Sequence, residues 1–350
     1  GYTFNKSHGV GYGMMTYATA YLKRHHTLNF FTVLLQLCHY SKNKPREEIS
    51  EIFYDAKLFD VKLIGPSLKL CNADFKNDGK VIQFGMKHIR NIGNSASQEL
   101  QKFKDANWAE IVINRKRLKK QVVEALIYSG SLDYTGLTRL EMIEGVDFAN
   151  AMTDKESAIL ESLLLHGRNV TMGKKIVKLG KAKNFRDAVE TIYEFLDGEN
   201  KELKAITCNR AEKLLDICAN YLDCVQPGEE MSFRDKAGKE ILYLGIPATC
   251  SEVDLYEHKR ATHTCIEVKR ASSSTEICLI GVIMDISRKT DRKGKPMAFI
   301  KLADKTYMIE GMMFSRAIEK FDDQLQEGKV VLVKGKKSRG SLLVDRIKKL

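Results

Sequence analysis

The sequence predicts an α+β, multidomain chain: a mostly α-helical body followed by a small C-terminal β-barrel. Three observations predict it. Apolar residues recur at spacings of three and four through most of the chain before residue 225. Beyond residue 275 the pattern changes to five short strand-like runs, with one helical run between the third and fourth. The length, 350 residues, exceeds what one core usually serves and suits about two or three domains.

Composition narrows the function classes. Hydrophobic residues at 43% and charged residues at 29% are globular proportions, which excludes a disordered or fibrous chain. Lys and Arg number 57 against 45 Asp and Glu, a formal charge of +12 that favours a polyanionic partner. No apolar stretch reaches the length of a membrane span, so no membrane partner is expected. The start, Gly1-Tyr2-Thr3-Phe4-Asn5-Lys6, lacks a signal-peptide layout, and beginning at Gly rather than Met it reads as a cut chain. The eight cysteines are too dispersed for one turn to offer two thiolates to a zinc ion. They read as reduced, buried thiols, and a cytoplasmic location is expected.

The elements follow in order. Ala18, Tyr21, Leu22 and His25 repeat at helical spacing, and residues 29–37 form a more apolar helical run. Pro45 marks a helix start, with Glu47 and Glu48 suiting its positive end and Ile49, Ile52 and Phe53 facing inward. Val61 to Ile64 is a short strand. Residues 75–84 read as a hairpin turning at Asn77-Asp78-Gly79. Two helix pairs are expected over 86–105 and 116–145. Residues 153–222 read as all-helical, with helices at 154–166, 184–196 and 207–222 capped by Asp154 and Thr207. The terminal strands are expected at 277–286, 297–302, 307–314, 330–335 and 342–347, with a helix at 315–325. That order is the order of an OB-fold barrel.

Ile89-Arg90-Asn91-Ile92-Gly93-Asn94-Ser95-Ala96 joins two helical stretches through a tight turn and resembles a helix-hairpin-helix motif. Such a turn aims backbone N–H groups at a phosphate without reading bases. Asn91 stands where glycine is usual, and Asn is the next residue to tolerate positive φ. Asn91, Gly93, Asn94 and Ser95 are therefore candidate DNA contacts. A second turn lies at Ser129-Gly130, preceded by a basic run from which Lys116, Arg117 and Lys119 are candidates. In the barrel, the loop between strands one and two offers Arg288, Lys289, Arg292, Lys293 and Lys295. The loop between strands four and five offers Lys336, Lys337 and Arg339. OB-folds hold single strands between these two loops, over aromatic platforms. Phe299 and Tyr307 are platform candidates, with Phe299 expected in the core instead. No catalytic constellation and no metal-ligand set stands out.

Gly1-Tyr2-Thr3-Phe4-Asn5-Lys6-Ser7-His8, followed by Tyr12, Tyr17, Thr19-Ala20-Tyr21-Leu22-Lys23 and Phe30, closely resembles the fingers segment of the bacterial DNA polymerase III alpha subunit family, the C-family replicative polymerases. The resemblance continues collinearly through Pro66–Phe75, Gly79–Gly85, the two hairpins, and Gly294-Lys295-Pro296-Met297-Ala298-Phe299 of the barrel. It implies the distal fingers at 1–60 and a linker hairpin with tandem helix-hairpin-helix motifs at 61–145. A helical region of unassigned role follows at 146–240, and an OB domain occupies 275–350.

The resemblance also implies a role in replication, in a bacterial or phage-infected cell, as the C-terminal part of a DNA-directed DNA polymerase. Implied partners are primer–template DNA, single-stranded template, incoming dNTP and the N-terminal palm and thumb. The catalytic aspartates and their Mg²⁺ would belong to that palm, so this chain alone is expected to be inactive and to hold no cofactor. Lys6 and His8 would face the triphosphate and Tyr12 the base. A sliding clamp belongs to the family's partners, but its Gln-led pentapeptide is not evident; Gln226 to Phe233 is a poor echo. Gly9-Val10-Gly11 replace the family's alanines after the motif histidine. The alternative is a stand-alone replication accessory protein built from the same DNA-binding modules.

Overall fold

The computed structural model describes residues 6–40, 45–167, 169–172, 175–178, 180–197, 208–224, 226–256, 261–291 and 294–350, with side chains at all of these except 169–178 and 208–209. Helices α1 (Lys6–His25), α2 (Thr27–Leu37) and α3 (Pro45–Lys57) precede strands β1 (Lys62–Ile64), β2 (Lys76–Asn77) and β3 (Val81–Gln83). Then come α4 (Asn94–Leu100), α5 (Trp108–Ile113), α6 (Arg115–Leu118), α7 (Lys120–Tyr128), α8 (Arg139–Ala151) and α9 (Asp154–Glu161). Strands β4 (Asn169–Met172) and β5 (Lys175–Lys178) are followed by α10 (Phe185–Asp197), α11 (Cys208–Cys224), α12 (Phe233–Leu244) and α13 (Cys265–Arg270). The chain closes with β6 (Glu276–Thr290), β7 (Pro296–Ala303), β8 (Met308–Phe314), α14 (Ser315–Phe321), β9 (Val330–Ser338) and β10 (Ser341–Lys349). Two compact units result, one of Gly1–Ile64, Asp74–Phe84 and Phe233–Leu350, the other of Gly65–Ala73 and Gly85–Ser232.

In the first unit, α1 runs through Gly9, Gly11 and Gly13 and buries no residue. Its Ala18, Tyr21, Leu22 and His25 stripe faces solvent, because periodicity reports amphipathicity and not the presence of a covering partner. Pro45 opens α3, and Ile49 and Phe53 are buried as expected, whereas Ile52 is only half-buried. The β2–β3 hairpin turns at Gly79 (φ +89°), where the Asp78 carboxylate accepts the N–H groups of Lys80 and Val81. β3 also pairs in parallel with β1.

The barrel is closed in the order β10-β8-β7-β6-β9. β6 is long enough to serve two neighbours: Glu276–Val282 pairs with β9 and Val282–Thr290 with β7, with a bulge between Ile283 and Asp285. Alternate residues Ala298, Ile300 and Leu302 of β7 point inward, as the pleat requires. Val331 and Val333 of β9 join them, and α13 contributes Cys265 and Val268 to the same core.

The second unit departs from sequence expectation in a hairpin and in one helix cap. Residues 153–222, read as all-helical, contain the antiparallel hairpin β4–β5. Helices α9, α10 and α11 do form around it. The cap of α9 is Thr153 rather than Asp154, since the Thr153 hydroxyl accepts the Glu156 N–H. Thr207 lies outside the described residues.

Glu156 ties α9 to α11. Its carboxylate, 10% exposed, takes two hydrogen bonds from the Arg210 guanidinium (2.7 and 2.6 Å) and one from the Thr153 N–H (2.7 Å). Burial alone would raise its pKa, but these donors outweigh it and hold the group below the ordinary carboxylate range. A depressed folded pKa contributes stability that is full above the unfolded value and is lost as pH falls through the folded one. The helical unit should therefore weaken as pH drops below about 4.5. In Glu156→Gln, already weaker at pH 7, the urea midpoint should decline less over the same acid range. Parallel declines would exclude the assignment.

Candidate nucleic-acid interface

The first hairpin is open. Asn91 takes a φ of +68°, as its place in the turn predicted. Gly93 precedes α4 and has no side chain to cap it, and no acidic residue lies in the helix's first turn. Arg90, Asn91, Gly93, Asn94 and Ser95 are all exposed. The first N–H groups of a helix have no intrahelical acceptor, so this corner presents donors to solvent beside one guanidinium.

The second hairpin is closed by its own chain. α7 ends in a Schellman arrangement: Ser131 N–H donates to Leu126 O (2.9 Å) and Gly130 N–H to Ile127 O (3.0 Å). Ser129 N–H donates to Ala125 O, and its side chain is buried against the Ser131 hydroxyl at 2.8 Å. The sequence assigned Ser129 and Gly130 to a phosphate, yet their donors are spent on ending a helix. The following helix, α8, carries a capping box in which Thr138 and Glu141 exchange hydrogen bonds (3.1 and 2.7 Å). A carboxylate there occupies the place an anion would take.

The basic run between the hairpins is largely neutralised. Arg115 is buried and donates to the carbonyls of Val112 and Ala149 and to the Ser157 hydroxyl. Lys116 pairs with Asp154, Arg117 with Glu99 at 2.5 Å, and Lys120 with Asp147 at 2.5 Å. Lys119 is exposed and, among the described residues, has no ion-pair partner. Its backbone sits at φ +66°, a strained conformation for a lysine.

On the barrel, Ser287, Phe299, Met312 and Leu343 stand opposite one another on β6, β7, β8 and β10, followed by Lys336 on β9. This row faces outward and is half-exposed, with Lys336 exposed. A second row holds Lys289, Met297 and Phe314. Phe299, expected in the core, lies on the outer face because Ala298 and Ile300 take the inward positions. The Lys289 ammonium is 5.2 Å from the Phe299 ring centroid. Tyr307 is no free platform: it meets the Tyr54 ring edge-on at 6.3 Å and carries Lys269 over its face.

The loop cations divide. Lys295 and Arg339 are exposed and have no ion-pair partner among the described residues. Arg288 pairs with Asp322 at 2.9 Å and Lys336 with Glu276 at 3.9 Å. Lys337 is buried, and burial, then the nearby Lys269, push its ammonium pKa down. It belongs to the inward face with Val331, Val333 and Gly335, so the expected surface contact is not available to it. Arg292 and Lys293 lie outside the described residues.

Lys6, His8 and Tyr12 share exposed α1, with the His8 and Tyr12 ring centroids 6.1 Å apart on one face. Among the described residues no three His, Cys, Asp or Glu side chains converge as metal ligands do. Burial pushes the thiols of Cys38 and Cys71 up to about 11 and that of Cys218 to about 12, so they are protonated at neutral pH. No described helix is long and apolar enough to cross a membrane.

A family model described as a helix-hairpin-helix motif matches residues 60–142, and one described as an OB-fold nucleic acid binding domain matches residues 277–347. Among curated relatives, a DNA polymerase III subunit alpha from Aquifex aeolicus is 26% identical, covering 95% of this chain and 24% of its own length. Its namesake from Thermus aquaticus is 26% identical over 98% of this chain and 25% of its own, and that from Bacillus subtilis 23% identical over 96% and 26%. The chain thus spans about a quarter of the length of these relatives. The resemblance carried by the motifs therefore holds along nearly the whole chain, which is similar to a segment of bacterial DNA polymerase III alpha subunits.

Proposed function

We propose that this chain is the nucleic-acid-gripping part of a DNA-directed DNA polymerase of the polymerase III alpha type, acting in DNA replication. The observation that carries the reading is similarity over 95% and 98% of the chain to proteins bearing that name. The geometry supports a division of labour. The open first hairpin suits a duplex phosphate, held by N–H donors and Arg90 without base reading. The outward barrel row suits single-stranded template, with Phe299 and Met312 under the bases and Lys289, Lys295 and Arg339 toward the phosphates. Lys6 and His8 bind the triphosphate of the incoming dNTP, and Tyr12 lies near its base. Phosphoryl transfer needs a metal on carboxylates, and the reading assigns that to the palm portion as partner, since the described side chains here offer no such set.

The test has two arms. Affinity of the chain for primed DNA, followed by fluorescence anisotropy, should fall steeply with salt, losing on the order of tenfold or more between 50 and 200 mM. Equal affinity at both salts would remove the phosphate grip. In the complete polymerase, the Lys6→Ala, His8→Ala double variant should raise KM for dNTP while binding primed DNA normally. An unchanged KM takes α1 out of the nucleotide site.

A further inference from the structure

Several exposed cations of this chain are paired with carboxylates, among them Lys116, Lys120, Arg288 and Lys301. By contrast, a cluster of cations unpaired among the described residues lines one groove of the barrel. Between α14 and the diverging strands β8 and β10 lies a groove of about 380 Å³, in the range of small-ligand clefts. Its floor is apolar: Met312, Phe314 and Leu343 line it, and Phe314 is 48% exposed. Its rim carries Arg316, Lys320 and Arg346, all exposed and none in an ion pair among the described residues. Asp345 is the single carboxylate in the lining.

The groove exists because the ladder between β8 and β10 is short. Only Gly311 and Met312 pair with Leu342 and Leu343 before the strands part and α14 fills the gap. Met312 and Leu343 are also the last two apolar members of the outward row that begins at Ser287 and Phe299. The apolar surface is thus continuous from Phe299 to Leu343, crossing three strands, on the order of 10 Å at the usual inter-strand spacing. A ligand lying along it meets aromatic and thioether faces first, and three unneutralised cations at the far end.

We propose that this groove is a second subsite for single-stranded nucleic acid, beyond the face between the two loops. It takes one or more bases on Phe314 and Leu343 and their phosphates on Arg316, Lys320 and Arg346. A base has an apolar face and its backbone a regular negative charge, which is the complement of this surface. The inference rests on the reading of the barrel as a single-strand binder and adds where the strand continues.

The test separates the two. Binding of the full chain to oligo(dT) of four and of twelve nucleotides is compared for three proteins: unaltered, a loop variant (Lys289→Ala, Lys295→Ala), and a groove variant (Arg316→Ala, Lys320→Ala, Arg346→Ala). All five side chains are on the surface, and unchanged melting temperatures would show that the variants fold. The groove variant should lose on the order of tenfold for the twelve-mer and nothing for the four-mer. Its salt slope for the twelve-mer should shrink by about 2, at 0.7 for each cation removed. The loop variant should weaken both oligonucleotides. If the groove variant binds the twelve-mer as the unaltered chain does while the loop variant is impaired, the subsite is wrong and the barrel reading stands. If the unaltered chain binds neither oligonucleotide, the barrel reading fails and the subsite with it. A change in self-association of the groove variant, with twelve-mer binding intact, would assign the groove to a second copy and overturn the proposal.

Discussion

Gly130→Ala is expected to destabilise the helical unit by about 3 kcal/mol, through two separate mechanisms. Gly130 is at φ +76°, which costs a residue with a Cβ about 1–2 kcal/mol. The added methyl would also lie 2.4 Å from an Arg139 guanidinium nitrogen and 3.0 Å from an Asp133 carboxylate oxygen. Those two groups form a pair at 2.7 and 3.0 Å, with the Arg139 side chain 1% exposed. Forcing the guanidinium aside takes it from its carboxylate while it is still buried. Removing one partner of such a pair costs about 3–5 kcal/mol in full, and Asp133, at 37% exposure, recovers part of this by hydration. Hydrogen exchange of α7 and α8 amides is the readout, since it reports local opening rather than one global transition. In Gly130→Ala those amides should exchange far faster, and Arg139→Ala in the same chain should add less than it costs alone. A loss below about 1 kcal/mol would mean that the guanidinium has room to move and that the turn is not built around it.

That turn shows what the sequence could and could not disclose. Both hairpins read alike as small, polar corners between helices. What separates them is three-dimensional: Arg139 returns to fill the second, and Glu141 caps the next helix, while among the described residues no such side chain caps α4 beside Asn91 to Ser95. A buried arginine leaves no local signature, because its charge argues for the surface until its partner's position is known. The barrel was legible because alternation is a local signal: parity alone places Ala298, Ile300 and Leu302 inside. The same parity would have found Lys337. Val331, Val333, Gly335 and Lys337 are every second residue of β9, and the expectation that a lysine faces a ligand overrode the count. The β4–β5 hairpin was missed for the opposite reason. Each strand has four residues inside a long helical stretch, too few for a period to declare itself. For the groove rim, only unpaired charge distinguishes Arg316, Lys320 and Arg346 from the neutralised cations, and pairing is a property of the fold.

Gly335→Ala should disrupt the barrel, costing about 3 kcal/mol or more, because the obstruction is backbone. An added methyl would sit 1.9 Å from the Leu343 carbonyl oxygen and 2.8 Å from its carbon, with Val344 Cα at 3.1 Å. The cause lies in the register. Gly335 faces Val344 where β10 makes its bulge before Arg346, and on its other side it faces Ile277 of β6. A flexible side chain could swing away, but here β10 itself must move, and with it Leu343, which carries the outward row to its end. The expected result is faster exchange of β9 and β10 amides and loss of single-strand binding, with α7 and α8 protection unchanged. Gly340→Ala is the matched control: the site lies five residues on, in the turn between β9 and β10, with nothing within 4 Å of the added methyl. If both variants keep their barrels and bind oligo(dT) alike, the close approach at Gly335 is not what holds these strands in register. If Gly335→Ala loses its barrel yet still binds the single strand, the ligand surface lies elsewhere in the chain and the barrel is a scaffold.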